Sequence, residues 1–171
     1  HSGFERADSV RDMLRKHRNL WCDLAFRNEH GSSGKVPADW RALFAEFPDR
    51  FFPVGVAEQN MTGMAVGMAL SGKVVFTYSI ANFPTLRCLE HIRNDVCYHN
   101  ASVRIVAIGG GFAYGSMGVT HHATEDLAVM RALPGLMVVA PGDPVETRLA
   151  TRALVSHSGP CYLRLGKAGE P

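Results

Sequence analysis

The chain has no apolar run near the roughly 20 residues that a membrane-spanning helix needs, and its first residues lack the charged, apolar and small-residue order of a signal peptide. No membrane partner is expected. It also has almost no charge imbalance: 18 Lys and Arg stand against 16 Asp and Glu, for a formal net charge of +2. The basic residues are scattered among acids, so no nucleic-acid partner is expected either. Cysteine is sparse. Cys22, Cys88, Cys97 and Cys161 are far apart with no C-x-x-C pair, which leaves neither a zinc motif nor a thiol redox motif. Buried free thiols in a reducing compartment, and hence a cytoplasmic location, are the expectation. Internal repeats and low-complexity tracts are missing too.

What is present is the composition of a globular chain: 46% hydrophobic and 20% charged residues over a length of 171. That length suits one domain with a sizeable core. The expected domain is 1–171, with residues 1–7 standing apart from it. Ser9 and Asp12 have the spacing of a capping box, followed by Val10, Met13, Leu14 and His17 on one helical face. "NLWCDL" reads as a short buried strand and "RNEHGSSGK" as a polar loop. Pro37 opens a predicted helix with Trp40, Leu43, Phe44 and Phe47 at spacings of three and four.

From there strands and helices alternate. "RFFPVG", "KVVFTY", "VRIVAIG", "LMVVAP" and "CYLRL" are predicted strands. Predicted helices run over 58–70, over 84–99, from near Thr124, and after Pro144 with Asp143 as cap. Near-continuous apolar strands between helices predict an α/β fold: a doubly wound, mostly parallel sheet with helices on both faces. Ligands of such sheets sit beyond the carboxyl ends of the strands. Glu58, the segment 78–83 and the glycine-rich loop 109–122 all follow strands there.

Several residues allow two readings at this level. Glu58 opens an otherwise apolar helix, as a helix-terminal acid favoured by the macrodipole or as a buried acid held for chemistry. Gly63 and Gly67 lie four apart inside that helix, where each glycine costs about 1 kcal/mol against alanine. Tight packing within the domain and a subunit interface explain them equally well. His121 and His122 suit a polar surface, a proton-transfer site or, least well, a metal site, for which Asp126 alone offers too few further ligands. Gly109-Gly110-Gly111 matches no phosphate-loop pattern, and a sharp turn off a strand suffices.

Four segments, "GVAEQNMTGMAVGMALSGK", "YSIANFPTLRCLEHIRND", "GVTHHATEDLAVMRALPGLMVVAPGDPVE" and "GPCYLRL", resemble in order and spacing the pyrimidine-binding domain of transketolases, which are thiamine diphosphate enzymes. The resemblance covers the chain from about Phe51 onward, and its G-[IV]-A-E-Q-N-M element is highly specific. It implies that Glu58 is a sequestered acid sharing its proton with N1′ of the cofactor's aminopyrimidine, whose imino form then activates the thiazolium. Phe83 is the implied stacking aromatic, with Tyr78 as second candidate. Arg87 is implied to face substrate, against the alternative of a surface ion pair with Glu90. His121 matches a substrate-facing, proton-transferring histidine.

The chain departs from the family in two places. Met117 stands where many transketolases carry an aspartate that contacts substrate hydroxyls, so substrate preference should differ. The G-D-G motif and downstream asparagine that hold magnesium and the diphosphate are missing: Gly142-Asp143 runs into Pro144, and no asparagine follows Asn100. No C-terminal domain of the usual kind is expected in this chain either. No metal ligand is expected in this chain. The resemblance therefore implies a separate partner chain bearing magnesium and the diphosphate end, in a hetero-oligomer such as a heterotetramer. The expected reaction is transfer of a two-carbon ketol unit from a ketose to an aldehyde or carrier-bound acceptor. The rivals are the beta chain of a 2-oxoacid dehydrogenase and a non-catalytic interaction module that kept the fold.

Overall fold

The strand β3 (Val74–Ile80), VVFTYSI, is rich in β-branched and aromatic residues, and all but its first residue are buried. Such a strand needs cover on both faces. Phe76, Tyr78 and Ile80 enter one apolar cluster, while Val75 enters the other. The alternation of side chains in a strand thereby assigns Thr77 and Ser79 to the face of Val75.

The computed structural model describes residues 7–23 and 38–167. The strands are β1 (Leu20–Asp23), β2 (Phe51–Phe52), β3, β4 (Val103–Ile108), β5 (Met137–Val139) and β6 (Cys161–Leu165). They form one six-stranded sheet in the order β2-β1-β3-β4-β6-β5, parallel at every pairing. The helices α1 (Ala7–Lys16), α2 (Ala38–Glu46) and α7 (Pro144–Ser156) belong to one face, where Val10, Leu14, Leu43, Leu154 and Val155 join the first cluster. The other face carries α3 (Glu58–Leu70), the helical segment after β3, and α6 (Asp126–Arg131), through Ala65, Val66, Ile92, Val96 and Met130. The doubly wound α/β expectation holds. No helix among the described residues is long and apolar enough to cross a membrane.

Local departures from expectation have local causes. The chain is already helical at Ala7, so Ser9 lies inside α1 and the expected capping box does not form. The strand β2 is only two residues long, because Pro53 has no N–H to continue the ladder. The helix expected over 84–99 starts earlier, as α4 (Asn82–Thr85). It continues through a 3-10 turn (Leu86–Cys88), α5 (Leu89–His91) and a π-turn (Ile92–Cys97). Pro84 is tolerated because a first-turn residue has no intrahelical acceptor for an N–H. Asp143 caps α7 as expected, its Oδ1 accepting from the Glu146 N–H at 2.8 Å. The "RNEHGSSGK" loop and Pro37 lie outside the described residues.

One buried cation organises the sheet. Arg104 on β4 is completely buried, and it donates to the carbonyls of Leu154 (2.8 Å), Gly159 (2.8 Å) and His157. These are carbonyls at and just beyond the end of α7, where the helix leaves acceptors unpaired and its dipole favours positive charge. Burial pushes the Arg104 guanidinium below its ordinary range.

Candidate functional site

Beyond the carboxyl ends of β2, β3 and β4 three connections meet. Each is positioned by the register of the sheet, in which Ser79 lies beside Ala107 and Ile80 beside Ile108.

The first connection leads into α3, whose opening residue is Glu58. Its side chain is only 2% exposed, so the acid is both helix-terminal and buried. Its oxygens have separate partners. Ser79 Oγ donates to Oε1 at 2.8 Å, and Arg87 Nη1 donates to Oε2 at 3.1 Å. Thr62 closes the first turn by donating its hydroxyl to the Glu58 carbonyl at 2.9 Å. A buried carboxylate needs such partners, since burying it alone would cost several kcal/mol, on the order of that of other isolated charges.

The second connection carries Phe83 and Arg87. The carboxylate partner of Arg87 is Glu58, not the Glu90 of the surface-pair alternative. Its guanidinium carbon also sits 4.4 Å from the centre of the Phe83 ring, a cation–π contact. The 3-10 turn over 86–88 turns this side chain toward Glu58 and Phe83, and Gln59 Nε2 fastens the turn by donating to the Arg87 carbonyl at 3.1 Å. Cys88, one residue on, is buried, and burial pushes its thiol up.

The third connection is the loop 109–122. It leaves β4 through Gly109 (φ 80°), where a side chain would meet the Tyr114 ring at 2.2 Å. Gly110 packs on Arg164 in the same way, and the loop is closed by a bridge between Gly111 and Ala123. The expectation of a sharp turn thus holds, with close side-chain approach as a second reason for glycine. His121 meets Phe83 edge-on at 5.1 Å and lies 6.0 Å from the Tyr114 ring, while its Nδ1 shares a hydrogen bond with the Thr120 hydroxyl at 3.0 Å. Asn82 donates to the Thr120 carbonyl, tying the second and third connections together.

The sequence-predicted residues therefore fall into two groups. Glu58, Arg87, Phe83 and His121 form one continuous chain of contacts. Tyr78 and Met117 stand outside it. Tyr78 is 4% exposed and belongs to the core cluster on the sheet face opposite Ser79, so its ring serves packing. Met117 is 53% exposed on the short turn Gly115–Met117, at the outer rim. His122 is engaged elsewhere: its Nε2–H donates to the Gly115 carbonyl at 2.9 Å. Asp126 accepts from the Tyr162 hydroxyl at 2.7 Å, and burial beside that carboxylate raises the tyrosine above its usual range. Among the described residues no group of three His, Cys, Asp or Glu side chains is placed to hold a metal ion. Gly63 and Gly67 are exposed, with nothing within 4 Å of an added Cβ. Tight packing inside the domain is therefore not their explanation.

Sequence reasoning missed Ser79. Its signal was a small hydroxyl in an otherwise large and apolar strand, two residues from Thr77 on the same face.

The transketolase pyrimidine-binding domain family matches residues 23–169. This chain belongs to that family. Over 125 residues it is 47% identical to a putative transketolase C-terminal section of Methanocaldococcus jannaschii, covering 72% of this chain and 40% of the relative. A 1-deoxy-D-xylulose-5-phosphate synthase of Geobacter sulfurreducens is 40% identical over 119 residues, covering 70% of this chain and 18% of the relative. Among solved structures, that of a split-gene transketolase, an inactive β4 tetramer, superposes with a TM-score of 0.78 at 35% identity, covering 97% of this chain and 51% of that one. The chain thus spans about two fifths of the length of the transketolase section it matches.

Proposed function

We propose that this chain is the pyrimidine-binding part of a thiamine diphosphate-dependent, transketolase-like enzyme. In this reading it transfers a two-carbon ketol unit from a ketose to an aldehyde or carrier-bound acceptor, in the cytoplasm, and only with a partner chain. The observation that carries the proposal is the buried Glu58 carboxyl at the carboxyl edge of the sheet, linked through Arg87 to the Phe83 ring and through that ring to His121. Its donor set suits an aminopyrimidine: an acid for a ring nitrogen, with an aromatic face beside it. When bound, the cofactor supplies the carbanion chemistry for cleaving and forming a ketose carbon–carbon bond.

The chain's own residues have separable tasks. Glu58 holds a proton at Oε2 for the ring nitrogen, and Ser79 fixes the carboxyl by its bond to Oε1. Phe83 offers the stacking face. His121, at the edge of that ring, exchanges protons with substrate hydroxyls. Met117 borders the entrance and replaces a polar contact by a thioether, which favours substrates with less hydroxyl recognition there.

The sequence lacks the G-D-G motif and its downstream asparagine, and on that ground magnesium and the diphosphate end are assigned to the partner in a hetero-oligomer such as a heterotetramer. Support comes from the split-gene transketolase, whose β4 tetramer is inactive. The open glycine face of α3 is the surface proposed for part of that contact.

Reconstitution tests the reading. Mixing this chain with candidate chains that carry G-D-G and its downstream asparagine should yield thiamine diphosphate-dependent ketol transfer that neither chain shows alone. Robust transfer by this polypeptide alone would overturn the split site. Turnover of pyruvate or branched oxoacids with an artificial electron acceptor, and none of ketoses, would favour the dehydrogenase instead.

A further inference from the structure

The proposed function gives the cofactor ring two contacts with this chain, the carboxyl of Glu58 and the face of Phe83. Arg87 makes both. Its Nη1 donates to Glu58 Oε2 at 3.1 Å, and its guanidinium carbon stands 4.4 Å from the Phe83 ring centre. A guanidinium is flat, and it carries N–H donors in its own plane. It therefore resembles a small heteroaromatic ring in shape and in the way it stacks.

We infer that Arg87 is a resident placeholder for the cofactor's aminopyrimidine, and that the ring binds by displacing it. The inference rests on the reading given above. Its basis is hydrogen-bond chemistry. Arginine only donates, so Oε2 must accept while Arg87 is present. A pyrimidine nitrogen accepts, so it needs an O–H on that carboxyl. Ser79 already donates to Oε1, which leaves Oε2 as the oxygen that must pass from acceptor to donor. An O–H on Oε2 directed at the place where Arg87 Nη1 now stands would point at an N–H, so a ring nitrogen and Arg87 compete for one position on that oxygen.

The local architecture suits displacement. Glu58 is 2% exposed but the Arg87 side chain is 46% exposed, so one end of the pair is fixed and the other opens to solvent. The Arg87 backbone is held by Gln59, which lets the side chain swing while the 3-10 turn stays in place. In the cofactor-free chain the pair also removes a hazard: without Arg87, Glu58 Oε2 would be left buried without the donor it now has.

The test uses the assembled two-chain enzyme and thiamine diphosphate as the probe, with Arg87→Ala and Arg87→Lys. Equilibrium binding is followed by calorimetry, and thermal unfolding is recorded with and without the cofactor. Removing a competitor that holds one half-exposed ion pair and one cation–π contact should tighten binding by about tenfold in Arg87→Ala. Arg87→Lys keeps the charge without the flat stacking group and should fall between. Without cofactor, Arg87→Ala should melt below the parent enzyme, and the cofactor-induced rise in Tm should be larger in the variant. Unchanged or weaker binding in Arg87→Ala, with a smaller rise in Tm, would overturn the placeholder while leaving the proposed function intact. If Arg87→Ala does not fold, Arg87→Lys decides by the same comparison with the parent. Failure of the parent enzyme to bind thiamine diphosphate at all would instead sink the underlying reading, and the placeholder with it.

Discussion

Replacing Glu58 by glutamine separates what the side chain does for the fold from what it does for chemistry. An amide keeps the length and shape of the carboxyl. Its oxygen can accept from Arg87, and the Ser79 hydroxyl can rotate to accept from the amide N–H, so both contacts persist in neutral form. What is lost is charge. At 3.1 Å two unit charges attract by about 5 kcal/mol at an effective dielectric of about 20. That gross value is offset by the desolvation of a buried carboxylate and screened at the half-exposed guanidinium, leaving a net effect of about 1 kcal/mol. For a chain of this size such a change moves Tm by about 2–4 °C.

The chemical effect should be much larger. An amide has no exchangeable acid proton for a ring nitrogen, and general acid–base groups contribute about 10²–10⁴ in rate. The reconstituted Glu58→Gln enzyme should therefore lose ketol transfer by that factor, equivalent to about 3–5 kcal/mol of barrier. Glu58→Asp shortens the side chain by about 1.5 Å, enough to break the bond to Ser79, and should lose activity as well despite keeping an acid. The assays are a coupled ketol-transfer measurement and a melt on the same preparations. Full turnover in Glu58→Gln would refute the proton role. A melting point lowered by ten degrees or more would refute the claim that both contacts survive the change.

Arg104→Met should leave the carbonyls of Leu154, His157 and Gly159 without their buried donor, at about 3–5 kcal/mol in total by denaturant unfolding, with Arg104→Lys restoring part of it; a loss under about 1 kcal/mol would show that water replaces the guanidinium. Gly109→Ala combines a positive φ of 80° with a clash on Tyr114, so it should destabilise by about 2–4 kcal/mol and lower activity through His121, as a melt and an activity assay on one preparation would show. Met117→Asp should raise kcat/KM for polyhydroxylated ketoses relative to less hydroxylated donors by about tenfold, measured by substrate competition; unchanged ratios would place the residue outside substrate contact.

The fold was legible because its information is periodic and local. Apolar runs such as VVFTYSI and VRIVAI must be buried on both faces, and the helices between them have nowhere else to pack. Where reading went astray, a single competing term decided. Pro53 cut a strand to two residues, and a chain already helical at Ala7 left Ser9 without a cap to form. In the candidate site, position marked an acid opening a greasy helix and a histidine pair on a glycine-rich loop, while Phe83 and the choice of His121 came from the family resemblance. Their partners were not legible. Ser79 is 21 residues from Glu58 and Arg87 is 29, so only the sheet register and a 3-10 turn bring them onto the same carboxyl. Helical spacing pointed Arg87 toward Glu90, three residues along, and on an exposed helix that pairing would be worth about 0.2–0.5 kcal/mol. The buried acid prevails because its need is greater: a carboxylate 2% exposed recruits the nearest mobile cation more strongly than one already in water. Local spacing predicts partners well where both groups are solvated, and poorly where one of them is buried. In this chain that boundary falls at Arg87.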